Sequence, residues 1–123
     1  AWELLGGKVR DRVRAYAWIG GDRPGEIAAA AQARRAQGFS AVKMNATPEL
    51  DWIGTPRLFD EVVARVQAAQ TEGMDVGLDF HGRVHRPMAK QLAKVLEPLG
   101  LLFIEEPLLS ENPEGLAHIA ALV

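Results

Sequence analysis

The chain contains no cysteine. Disulfides, zinc–thiolate sites and thiol nucleophiles are therefore excluded, and the absence fits a reducing compartment, the cytoplasm being the expected one. Excess basic charge is also missing: 14 Lys and Arg stand against 16 Asp and Glu, a formal net charge of −2. A nucleic-acid or anionic-membrane surface needs a concentrated basic patch, so neither partner is expected. No apolar run approaches the roughly 18 residues that span a bilayer. The dinucleotide fingerprint G-x-G-x-x-G is absent, because Gly20, Gly21 and Gly25 fall at the wrong intervals. What remains is a globular composition, 48% hydrophobic and 24% charged over 123 residues, which excludes a disordered chain. The sequence starts at Ala1 instead of Met and stops at Val123 inside a helical pattern, so it is expected to be part of something larger.

Residues Arg12 to Trp18 alternate between polar and apolar, which predicts a first strand. Gly20-Gly21-Asp22 turns the chain, Pro24 suits a first helical turn, and the Ala-rich stretch from Glu26 to Gln37 predicts a helix stopped by Gly38. Ala41 to Asn45 reads as the second strand. Thr55-Pro56 opens a second helix with the stripe Phe59, Val62, Val66 and Ala69, and Val76 to Phe80 gives a third strand. Pro87 opens a third helix with Met88, Leu92, Val95 and Leu99 on one face, and Pro98 closes it, with Leu99 at its end or just past it. Leu101 to Ile104 is apolar throughout, as for a strand covered on both faces, and Asn112-Pro113 starts a last helix bearing Leu116, Ile119 and Ala120. The order βαβαβαβα predicts an α/β fold with a parallel sheet and helices outside. Two architectures satisfy it: an open doubly wound sheet, or half of a (β/α)₈ barrel, which needs about 250 residues when complete.

Polar groups gather where strands end. The second strand ends Lys43-Met44-Asn45, the third Asp79-Phe80-His81, the fourth Glu105-Glu106-Pro107. Alternation puts Lys43 and Asn45 on one face, likewise Asp79 and His81, with Met44 and Phe80 turned the other way. This set suits metal-assisted enolisation. Asp79 and Glu105 offer the hard oxygen ligands that Mg²⁺ prefers, and Mg²⁺ on a substrate carboxylate lowers the cost of removing the α-proton. His81 can move a proton near neutral pH onto a leaving hydroxyl, and Lys43 can pair with a substrate carboxylate. Asn45 and Arg83 complete the expected substrate-binding set, although Arg83 can equally hold its own loop. Each residue has a plain alternative: Lys43 as a solvated ion-pair partner, Glu105-Glu106-Pro107 as a strand terminator. Recurrence at the same end of successive strands favours function. His85 and His118 read as loop and helix-surface histidines, and Trp2, Trp18 and Trp52 as packing residues.

The segments Lys43-Met44-Asn45, Leu78-Asp79-Phe80-His81-Gly82-Arg83 and Phe103-Ile104-Glu105-Glu106-Pro107 together resemble the mandelate racemase-like branch of the enolase superfamily, and within it the acid-sugar dehydratases. Gly77 to Val84, Pro87-Met88-Ala89-Lys90 and Leu96-Glu97-Pro98 strengthen the likeness, as do Val9-Arg10-Asp11 and Gly20 to Pro24. The resemblance implies the first four units of a TIM-type (β/α) barrel over 1–123, with 1–8 as a connecting segment from a capping domain. It implies Asp79 and Glu105 as two of three Mg²⁺ ligands, and His81 as the acid on the departing 3-hydroxyl. The third ligand and the base for the C2 proton would lie beyond Val123. Racemases of this branch carry K-x-K on the second strand; Asn45 stands in place of the second lysine, which speaks for elimination. Glu106 is excluded as a ligand by strand alternation. The implied activity is loss of water from a sugar acid in a homo-oligomeric enzyme, D-galactonate being favoured over gluconate or mannonate by resemblance alone. The contrasting expectation is a non-catalytic half-barrel.

Overall fold

In the parallel pairs of this chain, residues facing the same side meet at the same level, and the register sorts them sharply by polarity. The structure, a computed structural model, describes residues 1–46, 54–55, 57–111 and 113–122; Trp52, Pro56 and Asn112, given roles above, lie outside them. Four parallel strands, β1 (Ala17–Trp18), β2 (Ala41–Asn45), β3 (Asp75–Asp79) and β4 (Phe103–Glu105), pair in the order β1-β2-β3-β4. Val42 pairs with Val76, and Met44 with Leu78 and through it Ile104. These face the helix layer. Lys43, Gly77 and Phe103 form one level of the opposite face, and Asn45, Asp79 and Glu105 the level above it.

The helices α1 (Pro24–Ala36), α2 (Arg57–Thr71), α3 (Arg86–Leu96) and α4 (Glu114–Ala120) join and follow the strands. They bury Ile27 and Ala31, then Phe59, Val62, Val66 and Ala69, then Met88, Leu92 and Leu96 against the apolar face of the sheet. Strand order without reversal, with right-handed crossovers, puts every helix on one side. That is the arrangement of consecutive barrel units; a doubly wound sheet reverses direction at a switch point. The fold is therefore a partial TIM-type (β/α) barrel. The first turn at the rim is fixed by Glu26, whose Oε2 accepts the amides of Asp22 (2.9 Å) and Arg23 (3.3 Å). These hydrogen bonds hold its carboxyl below the ordinary range. Arg23 has no side-chain acceptor to return the bond, but its carbonyl takes the Glu26 and Ile27 amides.

Four expectations change. The first strand shrinks to Ala17–Trp18, because only these two have partners on β2; Val13 is exposed and Arg14 pairs with Asp75 at the opposite end of the sheet. On α3 the buried stripe is Met88, Leu92 and Leu96 with Ala89 and Ala93, whereas Val95 is 40% exposed. A four-residue spacing keeps Leu96 in line; Leu99 falls in the short 3₁₀ turn Glu97–Leu99. The fourth strand starts at Phe103, and its three residues are half-buried because, among the described residues, it has a neighbouring strand on one side only. In α4 Ile119 is buried, while Leu116 and Ala120 are exposed.

Gly77 has a steric reason. A Cβ there would come within 2.7 Å of both Cε atoms of Phe103, which leans across the strand toward Tyr16, the ring centroids 5.5 Å apart. Gly77→Ala should cost about 1–3 kcal/mol by overpacking, read from chemical denaturation. Adding Phe103→Ala should remove most of that penalty; purely additive losses would refute the contact.

Candidate active site

Three strand ends converge on one ammonium. Lys43 Nζ lies 2.8 Å from Asp79 Oδ2 and 2.6 Å from Glu105 Oε2, so β2, β3 and β4 are tied together at their C-terminal rim. Lys43 sits one level below the carboxylates, and its direct neighbour on β3 is Gly77. The space over that glycine is taken by the Phe103 ring, and the Lys43 side chain rises one level to reach both acids. The Asp79 side chain is 5% exposed and that of Glu105 is 40% exposed. Burial pushes the Asp79 carboxyl up, but the Lys43 ammonium and the His81 amide more than offset it and hold it below its ordinary value. The same hydrogen bonds to Asp79 and Glu105 raise Lys43, against its burial.

His81 completes the cluster from just beyond the strand. Its backbone N–H donates to Asp79 Oδ1 at 2.8 Å, and its Nδ1 stands 3.1 Å from the same oxygen. This wrap requires a left-handed backbone, φ 53°, rare for a residue with a Cβ. Glu106, one residue past Glu105, shares it at φ 45°. The two exits are stitched together: the Phe80 amide donates to the Glu105 carbonyl and the Gly82 amide to the Glu106 carbonyl, each at 2.9 Å. Glu106 itself lines a cavity with Leu96, Ile104 and Leu116.

Asn45 lies level with Asp79, and its Oδ1 is buried without a hydrogen-bond partner among the described residues. Arg83 is exposed and lines a cavity of about 220 Å³ together with Asn45, Trp18, Asp22 and Arg65. Lys43, Asp79, His81 and Glu105 thus form one contact cluster, with Asn45 and Arg83 beside it. His85 is the residue before α3 and His118 lies exposed on α4. Trp18 and Trp2 are each 56% exposed, against the packing role expected of them. Trp18 is on an edge strand, and its ring lies against Gly20 at the wall of that cavity. Sequence reasoning missed Arg65, which is 6% exposed and donates to the carbonyls of Ala46 and Gly21. The signal was present: Arg65 stands three residues after Val62 and four before Ala69, on the apolar side of α2.

As chemistry, the cluster offers two carboxylates converging on a cation, an imidazole oriented by one of them, and a positive charge at the end of a long stem. Asp79 and Glu105 have the donor type and convergence for a hard divalent ion. Among the described residues no group of three or more His, Asp or Glu is placed to hold a metal. No helix among them is long and apolar enough to cross a membrane.

Residues 26–123 match the family described as enolase C-terminal domain-like. The chain is 50% identical to the D-galactonate dehydratase of Ralstonia nicotianae and 47% identical to that of Klebsiella pneumoniae, in each case over 98% of this chain and 32% of the relative. It spans about a third of the length of these curated relatives. Among solved structures it is similar to a mandelate racemase/muconate lactonizing enzyme from Jannaschia sp. CCS1, with a TM-score of 0.86 and 31% identity over 99% of this chain and 36% of that one. A mandelate racemase/muconate lactonizing enzyme-like protein from Rubrobacter xylanophilus gives 0.81 and 31% over 99% and 38%.

Lys43→Met should leave Asp79 buried without its cation, and so raise its pKa, read from the carboxyl ¹³C titration of the metal-free protein. The native Asp79 is depressed below 3.8, so its pairing stabilises the fold above that pH and is lost as pH falls through the lower folded value. The stability gap between wild type and Lys43→Met should therefore be on the order of 3 kcal/mol at neutral pH, tempered by the exposure of Glu105. It should narrow in acid. A gap independent of pH would contradict the pairing.

Proposed function

Because the chain belongs to the enolase C-terminal domain-like family, we propose that the complete protein is an acid-sugar dehydratase that converts D-galactonate to 2-dehydro-3-deoxy-D-galactonate and water. The observation that carries this reading is the convergence of Lys43, Asp79, His81 and Glu105 at one rim. The substrate assignment is supported by the names of the relatives at about half identity.

In this proposal Asp79 and Glu105 hold Mg²⁺, which when bound offsets the charge of the substrate carboxylate as the C2 proton becomes acidic. Lys43 pairs with the same carboxylate as a point charge. His81 presents Nδ1 to Asp79, so its Nε2 is the atom available to the substrate. From there it delivers a proton to the departing 3-hydroxyl. One proton leaves C2, one is given to the 3-oxygen, and the C3–O bond breaks, so the net loss is a molecule of water; the enol product tautomerises to the 2-keto acid. The base at C2 and the third metal ligand are assigned to parts of the protein outside this chain. Asn45 and Arg83 are assigned to the substrate, Asn45 supporting elimination because it cannot serve as a second base. Residues 1–123 are assigned to the first four barrel units, with 1–8 as the connection from a capping domain. A homo-oligomer acting in the cytoplasm completes the proposal.

A panel of C6 sugar acids, assayed with the complete protein for keto-acid formation, tests the substrate: D-galactonate should be turned over best. Turnover of mannonate but not galactonate would overturn the assignment. Asp79→Asn should weaken Mg²⁺ binding and kcat together. His81→Asn should lower elimination by about 10²–10⁴-fold, the usual worth of a general acid, while exchange of the C2 proton with solvent continues. Loss of exchange as well would show that His81 does more than protonate the leaving group.

A further inference from the structure

A guanidinium is an unusual thing to find inside a helix-to-sheet core, since burying a charge is costly unless it is paired or fully hydrogen-bonded. Arg65 on α2 is 6% exposed, and its planar fork donates from Nη1 to the Ala46 carbonyl (3.1 Å) and from Nη2 to the Gly21 carbonyl (2.7 Å). These acceptors belong to two different rim turns, one after β1 and one after β2. Two further contacts show where the clamp leads. The Ala46 amide, one peptide bond removed from Asn45, donates to the Asp79 carbonyl at 2.8 Å. Asn45 and Arg65 both line the 220 Å³ rim cavity. The guanidinium thus holds the carbonyl of Ala46, the residue whose own amide is joined to Asn45 and abuts Asp79, and it reaches the turn that Glu26 holds from the other side.

We propose that Arg65 is a positioning residue: it clamps the β1 and β2 rim turns to one another and so sets the placement of Asn45 against the substrate, a role that rests on the acid-sugar dehydratase reading. The fork geometry is essential, because the two carbonyls lie on separate turns and a planar guanidinium offers two fixed, divergent donors. A lysine at 65 supplies the charge without the fork.

The test uses the complete protein with Arg65→Lys and Arg65→Met, read in two ways. Hydrogen–deuterium exchange at the Ala46 amide, measured without substrate, should accelerate in the Met variant and less in the Lys variant. KM for D-galactonate should rise in the same order, by about tenfold or more in the Met variant, with kcat falling less; displacements of this kind carry such penalties at a distance from the chemistry. Partial rescue by lysine and the KM-weighted split distinguish positioning from simple loss of stability, which would reduce the folded fraction and leave KM unchanged. Unaltered exchange at Ala46 would overturn the clamp. Faster exchange with a native KM would overturn its role in binding. If Arg65→Met does not fold, Arg65→Gln, which reaches one carbonyl at most, is judged by the same readings. If the wild-type protein turns over no sugar acid, the functional reading fails, while the exchange data still decide the clamp.

Discussion

Everything at the rim depends on one ammonium shared between two carboxylates. Asp79 and Glu105 are adjacent partners on neighbouring strands, and two negative charges so placed repel unless a cation stands between them. Lys43 supplies it from the strand on the other side, so one ion-pair triad spans three of the four strands. The triad exists only in this register. Sliding β2 by one residue would turn Lys43 and Asn45 into the apolar layer and expose Met44. The chemistry of the rim and the packing of the core therefore select the same pairing.

The sequence made this rim readable for a simple reason. Period-two alternation in β2 and β3 puts Lys43, Asn45 and Asp79 at its polar positions; they would be costly on the helix side, and so they can face only the other way. The helices α1 to α3 were readable from propensity and stripe. Where reading failed, a local pattern lacked a partner. Arg12 to Ala15 alternate convincingly but have no ladder beside them, and a strand is made by pairing as much as by pattern. Val95 and Leu96 are both apolar, and only the phase of α3 against the sheet decides which is buried. Arg65 was hidden by type: a cation on an apolar stripe reads as an interruption until the carbonyls it satisfies are seen. The specific reaction came from the motif likeness and not from spacing alone, because two carboxylates, a lysine and a histidine suit several eliminations.

The sheet also divides labour between its faces. On one side Val42, Val76 and Leu78 are wholly buried and supply the driving force for folding; on the other, the polar residues Lys43, Asn45, Asp79 and Glu105 gather above Gly77 and Phe103. Gly77 shows how closely neighbouring strands are coupled, since the missing side chain gives room to the Phe103 ring from β4. The open edges at β1 and β4 are consistent with a chain that spans about a third of the length of its curated relatives.

The left-handed backbone at His81 complicates any attempt to interrogate that residue by replacement. Most side chains at φ 53° carry a conformational penalty of about 1–3 kcal/mol, so a routine alanine or leucine scan would conflate two losses: the missing imidazole and a distorted peptide whose N–H anchors the Asp79 carboxylate. Asparagine and glycine tolerate this region far better, which makes them the informative controls. A saturation library at position 81 should accordingly sort its members by backbone tolerance as well as by chemistry, and the ranking of inactive variants by expression level would read out the turn rather than the reaction.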